Sequence, residues 1–147
     1  MTIISTTNIE QAKNLIKNSK EKPLIVRAQN DEFNRRILEY GRFDILLSPE
    51  SGKRQRTLRS IESGLNSTLA KIATKNKISI GMDIDEIKNL EKEEKAKKIE
   101  RIRQNIKICR KAKTKLALLN CKDEKNAHSF LISLGASTQQ AKEALTF

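Results

Sequence analysis

The segment ISIGMDIDEIKNLEKEEKAKKIERIRQNIKICRKAKTKLALL, residues 78–119, contains the pattern that decides the fold. It begins with a short apolar run at residues 78–82 and ends with a second one at residues 116–119, each of the length of a buried strand. Between them, residues 91–113 show the apolar spacing of one helical face, at Ile99, Ile102, Ile106 and Cys109. Because a helix joins the two strands, they cannot pair through a tight hairpin.

The same alternation of strands and helices extends over the rest of the chain. Further strands are predicted at residues 2–5, 24–26 and 43–47, and further helices after Asn8, around 65–73 and at 125–134. Another helix is predicted through Tyr40 with Asp31 as its cap, and a last one at 137–145, where Ser137 and Gln140 have the spacing of a capping box. Alternating strands and helices imply a parallel sheet with right-handed crossovers. We therefore predict one α/β domain, 1–147, built as an open parallel sheet of about five strands or as part of a (β/α) barrel. A complete eight-stranded barrel is excluded, since it usually needs about 250 residues.

The charge of the chain points to a polyanionic partner. There are 30 Lys and Arg against 18 Asp and Glu, a formal net charge of +12. Such an excess repels itself in a folded protein, so binding to nucleic acid explains it better than a merely solubilising surface does. Aromatic residues make up only 3% of the chain, which argues against stacking of single-stranded bases and favours recognition of the backbone and shape of folded RNA.

Two groups of cations are the main candidates for RNA contacts. One group lies in or beside a turn-rich loop: Lys53, Arg54, Arg56 and Arg59. The other lies on the long helix, away from its isoleucine stripe: Arg103, Lys107, Arg110 and Lys111. Arginine forks bind phosphates with two parallel hydrogen bonds, which suits both groups to a nucleic-acid backbone.

The sequence offers little for catalysis or for a metal site. His128 is the only histidine, and Cys109 and Cys121 lack the spacing of a zinc site or of a disulfide framework. Neither a Gly-rich phosphate loop nor a nucleophile elbow is present. We expect no catalytic residues, no metal ligands and no cofactor in this chain. The two unpaired cysteines, the lack of a long apolar segment and the lack of a signal sequence predict a cytoplasmic protein without a membrane partner.

The acidic residues near strand ends have two interpretations. Asp83, Asp85 and Glu86 follow the strand at residues 78–82 and could bind Mg²⁺, although capping of the next helix is the favoured reading. Asp44 lies inside the strand predicted at 43–47. A charged residue there needs a partner, for which we expect an arginine, Arg27 or Arg42.

Several segments, taken in order, resemble the archaeal ribonuclease P protein component 3 family, the thirty-kilodalton subunit related to PHP-type and TIM-like barrels. They are LIVR at 24–27, FNR at 33–35, DILLSPESGK at 44–53, SGLNSTLAKIA at 63–73, RQNIKICRK at 103–111 and LGASTQQAKEAL at 134–145. The chain departs from the family in three ways. The opening strands and a final segment are missing, residues 55–62 look like an insertion, and Ser67 stands where a histidine is often found.

The resemblance implies a shortened component 3 with a ribonuclease P role. In that family the RNA subunit removes the 5′ leader of precursor tRNA with Mg²⁺, and component 3 works beside protein component 2. The family pattern adds Arg35 to the predicted RNA contacts. The expected partners are ribonuclease P RNA, precursor tRNA and component 2, in a hetero-oligomer that covers the sheet edges. The alternatives are a PHP-related metal-dependent phosphoesterase and a generic basic RNA- or DNA-binding protein.

Overall fold

The computed structural model describes residues 2–52, 54, 57 and 60–146. Across these residues there are five strands, β1 (Thr2–Ile4), β2 (Leu24–Arg27), β3 (Ile45–Leu47), β4 (Ser79–Asp83) and β5 (Leu116–Leu119). The helices of the same residues are α1 (Ile9–Asn18), α2 (Asp31–Tyr40), α3 (Ser67–Lys75), α4 (Ile84–Lys88), α5 (Lys92–Ala112), α6 (Glu124–Ser133) and α7 (Thr138–Ala144).

The strands form one sheet whose order in space is their order in the chain, β1-β2-β3-β4-β5. All four pairings are parallel, with Ile25 opposite Ile45 and Ile80 opposite Leu116. A helix lies in each connection, as parallel strands require. The predicted α/β fold with an open, parallel, five-stranded sheet is confirmed, and the sequential strand order is also that of a (β/α)-barrel segment.

The sheet has two differently packed faces. One face contacts the helices and joins the large core, with side chains such as Val26, Leu46 and Leu118. The opposite face has a smaller buried cluster of its own: Ile25, Ile45, Leu47, Ala117 and Leu119. Gly81 belongs to this second face, and a Cβ there would lie 2.5 Å from the Ile45 Cγ2 atom. A glycine is therefore required for these aliphatic side chains to cover the sheet.

Short polar side chains begin most of the helices. Asn8, Asn30, Asn66, Asp83, Asp123 and Ser137 each accept a hydrogen bond from a backbone N–H in the first turn. This satisfies donors that the helix itself leaves unpaired. The capping box predicted at Ser137 and Gln140 is present. The helix that we expected Asp31 to cap is capped by Asn30 instead.

The predictions for β3 and for Asp44 were partly wrong. The strand begins at Ile45 and not at residue 43. Asp44 precedes it, and its Oδ2 atom accepts a hydrogen bond of 2.7 Å from the Leu24 backbone N–H. A backbone donor thus takes the place of the expected arginine, since Arg27 pairs with Glu86 and Arg42 lies over the Tyr40 ring.

No helix in the described part of the chain is both long enough and apolar enough to cross a bilayer.

Candidate nucleic-acid interface

Helix α5 presents a row of cations to solvent. Arg103, Lys107, Arg110 and Lys111 are all exposed. Residues three, four, seven and eight positions apart lie on the same side of a helix, so these four side chains form one stripe along its C-terminal half. We call it the cationic stripe. Its position on the side away from the buried residues Ile102, Ile106 and Cys109 agrees with the apolar spacing in the sequence.

The adjoining side of α5 holds the long loop between β3 and α3. The Lys98 ammonium donates to the Ser51 hydroxyl at 2.8 Å, and the Arg101 guanidinium donates to the Glu50 carbonyl at 3.3 Å. Further along the helix, the Gln104 amide donates to the Ile61 carbonyl at 2.6 Å. These anchors are three residues apart and so share one face of the helix. They place both ends of the loop against α5.

Two further contacts reinforce this attachment. The Gln104 amide also donates to the Ser63 hydroxyl at 2.9 Å, and the buried Asn105 amide donates to the Ser63 carbonyl at 3.1 Å. Lys98, Arg101, Gln104 and Asn105 were not singled out in the sequence. The sequence does contain a pattern that could have indicated them, because these polar residues recur along α5 beside its apolar stripe.

Arg54 lies inside the loop rather than on its surface. Its side chain is only 6% exposed, and its guanidinium pairs with Asp31 at 2.5 Å. The same group donates to the carbonyls of Pro49 at 3.0 Å, Ser51 at 3.3 Å and Gln29 at 3.4 Å. Because its donors are engaged within the protein, Arg54 holds the loop together. We expected an exposed arginine that contacts phosphate, and the structure buries it instead.

The other predicted contacts fall into two groups. Arg35 is exposed on α2, where it forms an i,i+4 ion pair with Glu39 at 3.1 Å. Lys53, Arg56 and Arg59 lie outside the described residues. The structure thus places Arg35 and the cationic stripe on the surface, and RNA contact at all of these positions stays a prediction.

A buried ion pair lies where α5 meets the loop. The Lys98 Nζ atom is 3.1 Å from the Glu50 Oε1 atom, and both side chains are buried. Neither carboxylate oxygen of Glu50 has a partner in hydrogen-bond geometry among the described residues. Burial raises the pKa of the Glu50 carboxyl, although the Lys98 charge acts in the opposite direction.

The carboxyl ends of the strands, where α/β proteins place ligands, carry an internal polar network. Glu86 pairs with Arg27 at 2.6 Å and accepts from the Ser48 hydroxyl at 3.1 Å. Asp83 accepts from the Asn120 amide at 2.9 Å and from the Asp85 backbone N–H. The capping interpretation of Asp83 therefore agrees with the structure. Within the described ranges, no group of three His, Cys, Asp or Glu side chains could hold a metal ion.

The known proteins to which the chain is similar include the family that the sequence motifs indicated. No protein-family model matches the chain. Curated proteins named ribonuclease P protein component 3 do match it. Those of Methanococcus maripaludis strains C7 and C6 are each 26% identical over 117 residues, which are 78% of this chain and 47% of each relative. The resemblance to component 3 is confirmed.

The relatives are longer than this chain, which spans about half of their length. Among solved structures, the chain matches one in the cryo-EM structure of archaeal ribonuclease P with mature tRNA. The TM-score is 0.79 at 22% identity, over 97% of this chain and 62% of that one. At this identity the match shows a shared fold. The described residues therefore share the fold of a chain of archaeal ribonuclease P.

Proposed function

We propose that this protein is an RNA-binding subunit of ribonuclease P, which assists the catalytic RNA in removing the 5′ leader from precursor tRNA. The observation that carries the proposal is the cationic stripe: Arg103, Lys107, Arg110 and Lys111 are exposed together on one side of α5. It occurs on a fold shared with a chain of archaeal ribonuclease P, in a protein similar in sequence to component 3.

The stripe would act by neutralising phosphates. A folded RNA brings phosphates of different strands together, and their repulsion opposes the compact form. Four cations held on one rigid helix lower that repulsion and release condensed counterions, which favours binding at low salt. The anchors beside the stripe on α5 support this role, because Lys98, Arg101 and Gln104 hold the helix in place. The stripe is thereby presented in one orientation.

Chemistry at the scissile phosphate would belong to the RNA and its Mg²⁺. In the described part of this chain, the carboxylates Glu50, Glu86 and Asp83 already contact Lys98, Arg27 and Asn120. Metal-dependent hydrolysis needs an open coordination position and ligands that converge on it. The arrangement therefore supports an assisting subunit better than the alternative, a PHP-related phosphoesterase.

A protein partner is also part of the proposal, and component 2 is the first candidate. Among the described strands, β1 pairs only with β2, so within these residues one edge of the sheet presents unpaired backbone groups. Ile3 of β1 is 45% exposed, and Leu15 of α1, the helix that contacts β1, is 43% exposed. An exposed apolar side chain on the edge strand, with a second one on the helix next to it, favours a covering subunit. Light scattering of the protein alone and with component 2 tests this pairing.

Reconstitution tests the proposed function. Ribonuclease P RNA of the same organism is mixed with the other protein subunits in Mg²⁺, with and without this protein, and cleavage of precursor tRNA is followed. We expect faster leader removal or a lower Mg²⁺ requirement with the protein, and no cleavage by the protein alone. Cleavage by the protein without RNA, or no effect of the protein at any Mg²⁺ concentration, would contradict the proposal.

A further inference from the structure

A groove separate from the cationic stripe lies between α4, the N-terminal half of α5, and α6. Its volume is about 440 Å³. It lies beside the carboxyl ends of β4 and β5, since α4 directly follows β4 and Cys121 comes shortly after β5. None of the four stripe residues lines it.

The floor of the groove is apolar. Ile84, Ile99 and Phe130 are partly buried and pack against the core, each leaving part of its surface open, and Ile87 below them is buried. Exposing three large apolar side chains in one open groove costs free energy in water. That free energy is regained when a partner covers them. An RNA backbone would not provide that gain, because phosphates need to stay hydrated or paired.

The rim of the groove is cationic. Lys88 comes from α4, Lys95 from α5 and Lys122 from the segment before α6, so three elements each contribute one ammonium group. The carboxylate on the same rim, Asp123, accepts hydrogen bonds from the backbone N–H groups of Lys125 and Asn126. The charge that the rim offers to a partner is therefore mainly positive.

We propose that this groove is a docking site for an amphipathic helix of another protein, with apolar anchors on one face and acidic residues beside them. The apolar floor matches the anchors, and the three lysines match the carboxylates. A small molecule fits less well, because none of the described lining residues is a buried polar side chain that would orient it. A second copy of this chain would bring another +12 charge against the same rim.

The first experiment measures binding of a designed probe. The probe is a short, labelled, helix-forming peptide with leucines on one face and glutamates on the other, and fluorescence anisotropy reports its affinity for the full chain. A peptide of the same composition in scrambled order is the control ligand. The groove variant is Lys88→Glu with Lys122→Glu, and the matched variant is Lys17→Glu with Lys20→Glu, on exposed positions at the end of α1.

We expect the amphipathic probe to bind more tightly than the scrambled one. The groove variant should lose at least about tenfold in affinity, and the matched variant less than about threefold. Equal binding of both peptides, or equal loss in both variants, would overturn the proposal. Circular dichroism of each variant verifies that the fold is kept, and it is expected to be, since all four lysines are exposed.

The second experiment locates the probe. Cys121 is partly exposed and lines the groove, whereas Cys109 is buried and burial raises its pKa to about 12. Alkylating reagents react with exposed thiolates, and Cys109 is buried with a raised pKa, so Cys121 is the cysteine that reports on the groove. The amphipathic probe should slow its alkylation severalfold. An unchanged rate with bound probe, or protection by ribonuclease P RNA and not by the probe, would refute a protein-docking groove.

Discussion

The ammonium group of Lys98 lies 3.1 Å from a carboxylate oxygen of Glu50 in the interior of the protein. One partner belongs to α5, which presents the cationic stripe, and the other to the loop that follows β3. The pair therefore couples the position of the proposed RNA-binding helix to the carboxyl end of the sheet. Its energetics can be tested apart from any RNA.

Removal of Lys98 should destabilise the fold. In Lys98→Met the Glu50 carboxylate loses its counter-charge while it stays buried, and breaking a buried pair in this way costs about 3 to 5 kcal/mol. Urea unfolding at pH 7 measures the loss. The loss should become smaller at pH 5, because the isolated carboxyl can then be protonated. A loss below about 1 kcal/mol at pH 7 would show that the pair is solvated.

The pH dependence of stability should change in Glu50→Gln. Because the folded-state pKa of Glu50 is raised above 4.5, the folded protein holds this proton in a pH range where the unfolded chain has released it. The contribution of Glu50 to stability is thus greatest below pH 4.5 and is lost as pH rises through its folded-state pKa. The free energy of unfolding of the parent minus that of Glu50→Gln should fall as pH rises from 4.5. A difference that stays constant or rises would contradict this pKa shift.

Backbone packing in the same loop can be tested with two glycines. Gly64 and Gly52 both have positive φ, +80° and +88°. A Cβ at Gly64 would lie 1.8 Å from the Pro49 carbonyl oxygen, whereas nothing lies within 4 Å of one at Gly52. Gly52→Ala should therefore cost only the backbone strain, about 1 to 2 kcal/mol, and Gly64→Ala clearly more. Equal losses in thermal or urea unfolding would show that Gly64 and Pro49 are not in close approach.

The buried position of Arg54 predicts a loss of stability when it is replaced. Arg54→Met removes several hydrogen bonds and leaves the Pro49 carbonyl without its guanidinium donor, which should cost about 2 to 4 kcal/mol. Arg35→Met, at an exposed arginine with one surface ion pair, should cost less than about 1 kcal/mol. The comparison uses urea unfolding of both variants. If both lose the same small amount, Arg54 is not a structural arginine.

The sequence was sufficient for the fold because its signals were local and repeated. Apolar runs located all five strands, and the spacing of Ile99, Ile102 and Ile106 located α5 to within a residue at each end. Helix α4 was missed because five residues are too few to show a helical period.

The site was only partly predictable. The exposure of the cationic stripe follows from helical geometry and could be read from the chain. The burial of Arg54 could not, since it depends on Asp31 and Gln29, more than twenty residues away. The same holds for Lys98, whose partner Glu50 is 48 residues distant in the sequence.

The salt dependence of RNA binding tests the central claim most directly. The affinity for ribonuclease P RNA is measured at several salt concentrations for the parent protein and for a variant with Arg103, Lys107, Arg110 and Lys111 changed to Gln. A control variant carries Gln at four exposed lysines elsewhere, Lys17, Lys20, Lys125 and Lys142. If each stripe residue neutralises one phosphate, the slope of log K against log salt should flatten by up to about 3 to 4 in the stripe variant, using the duplex coefficient. The control slope should change by less than about 1. Equal slopes for the parent protein and the stripe variant would contradict the assignment of α5 as the RNA-binding surface.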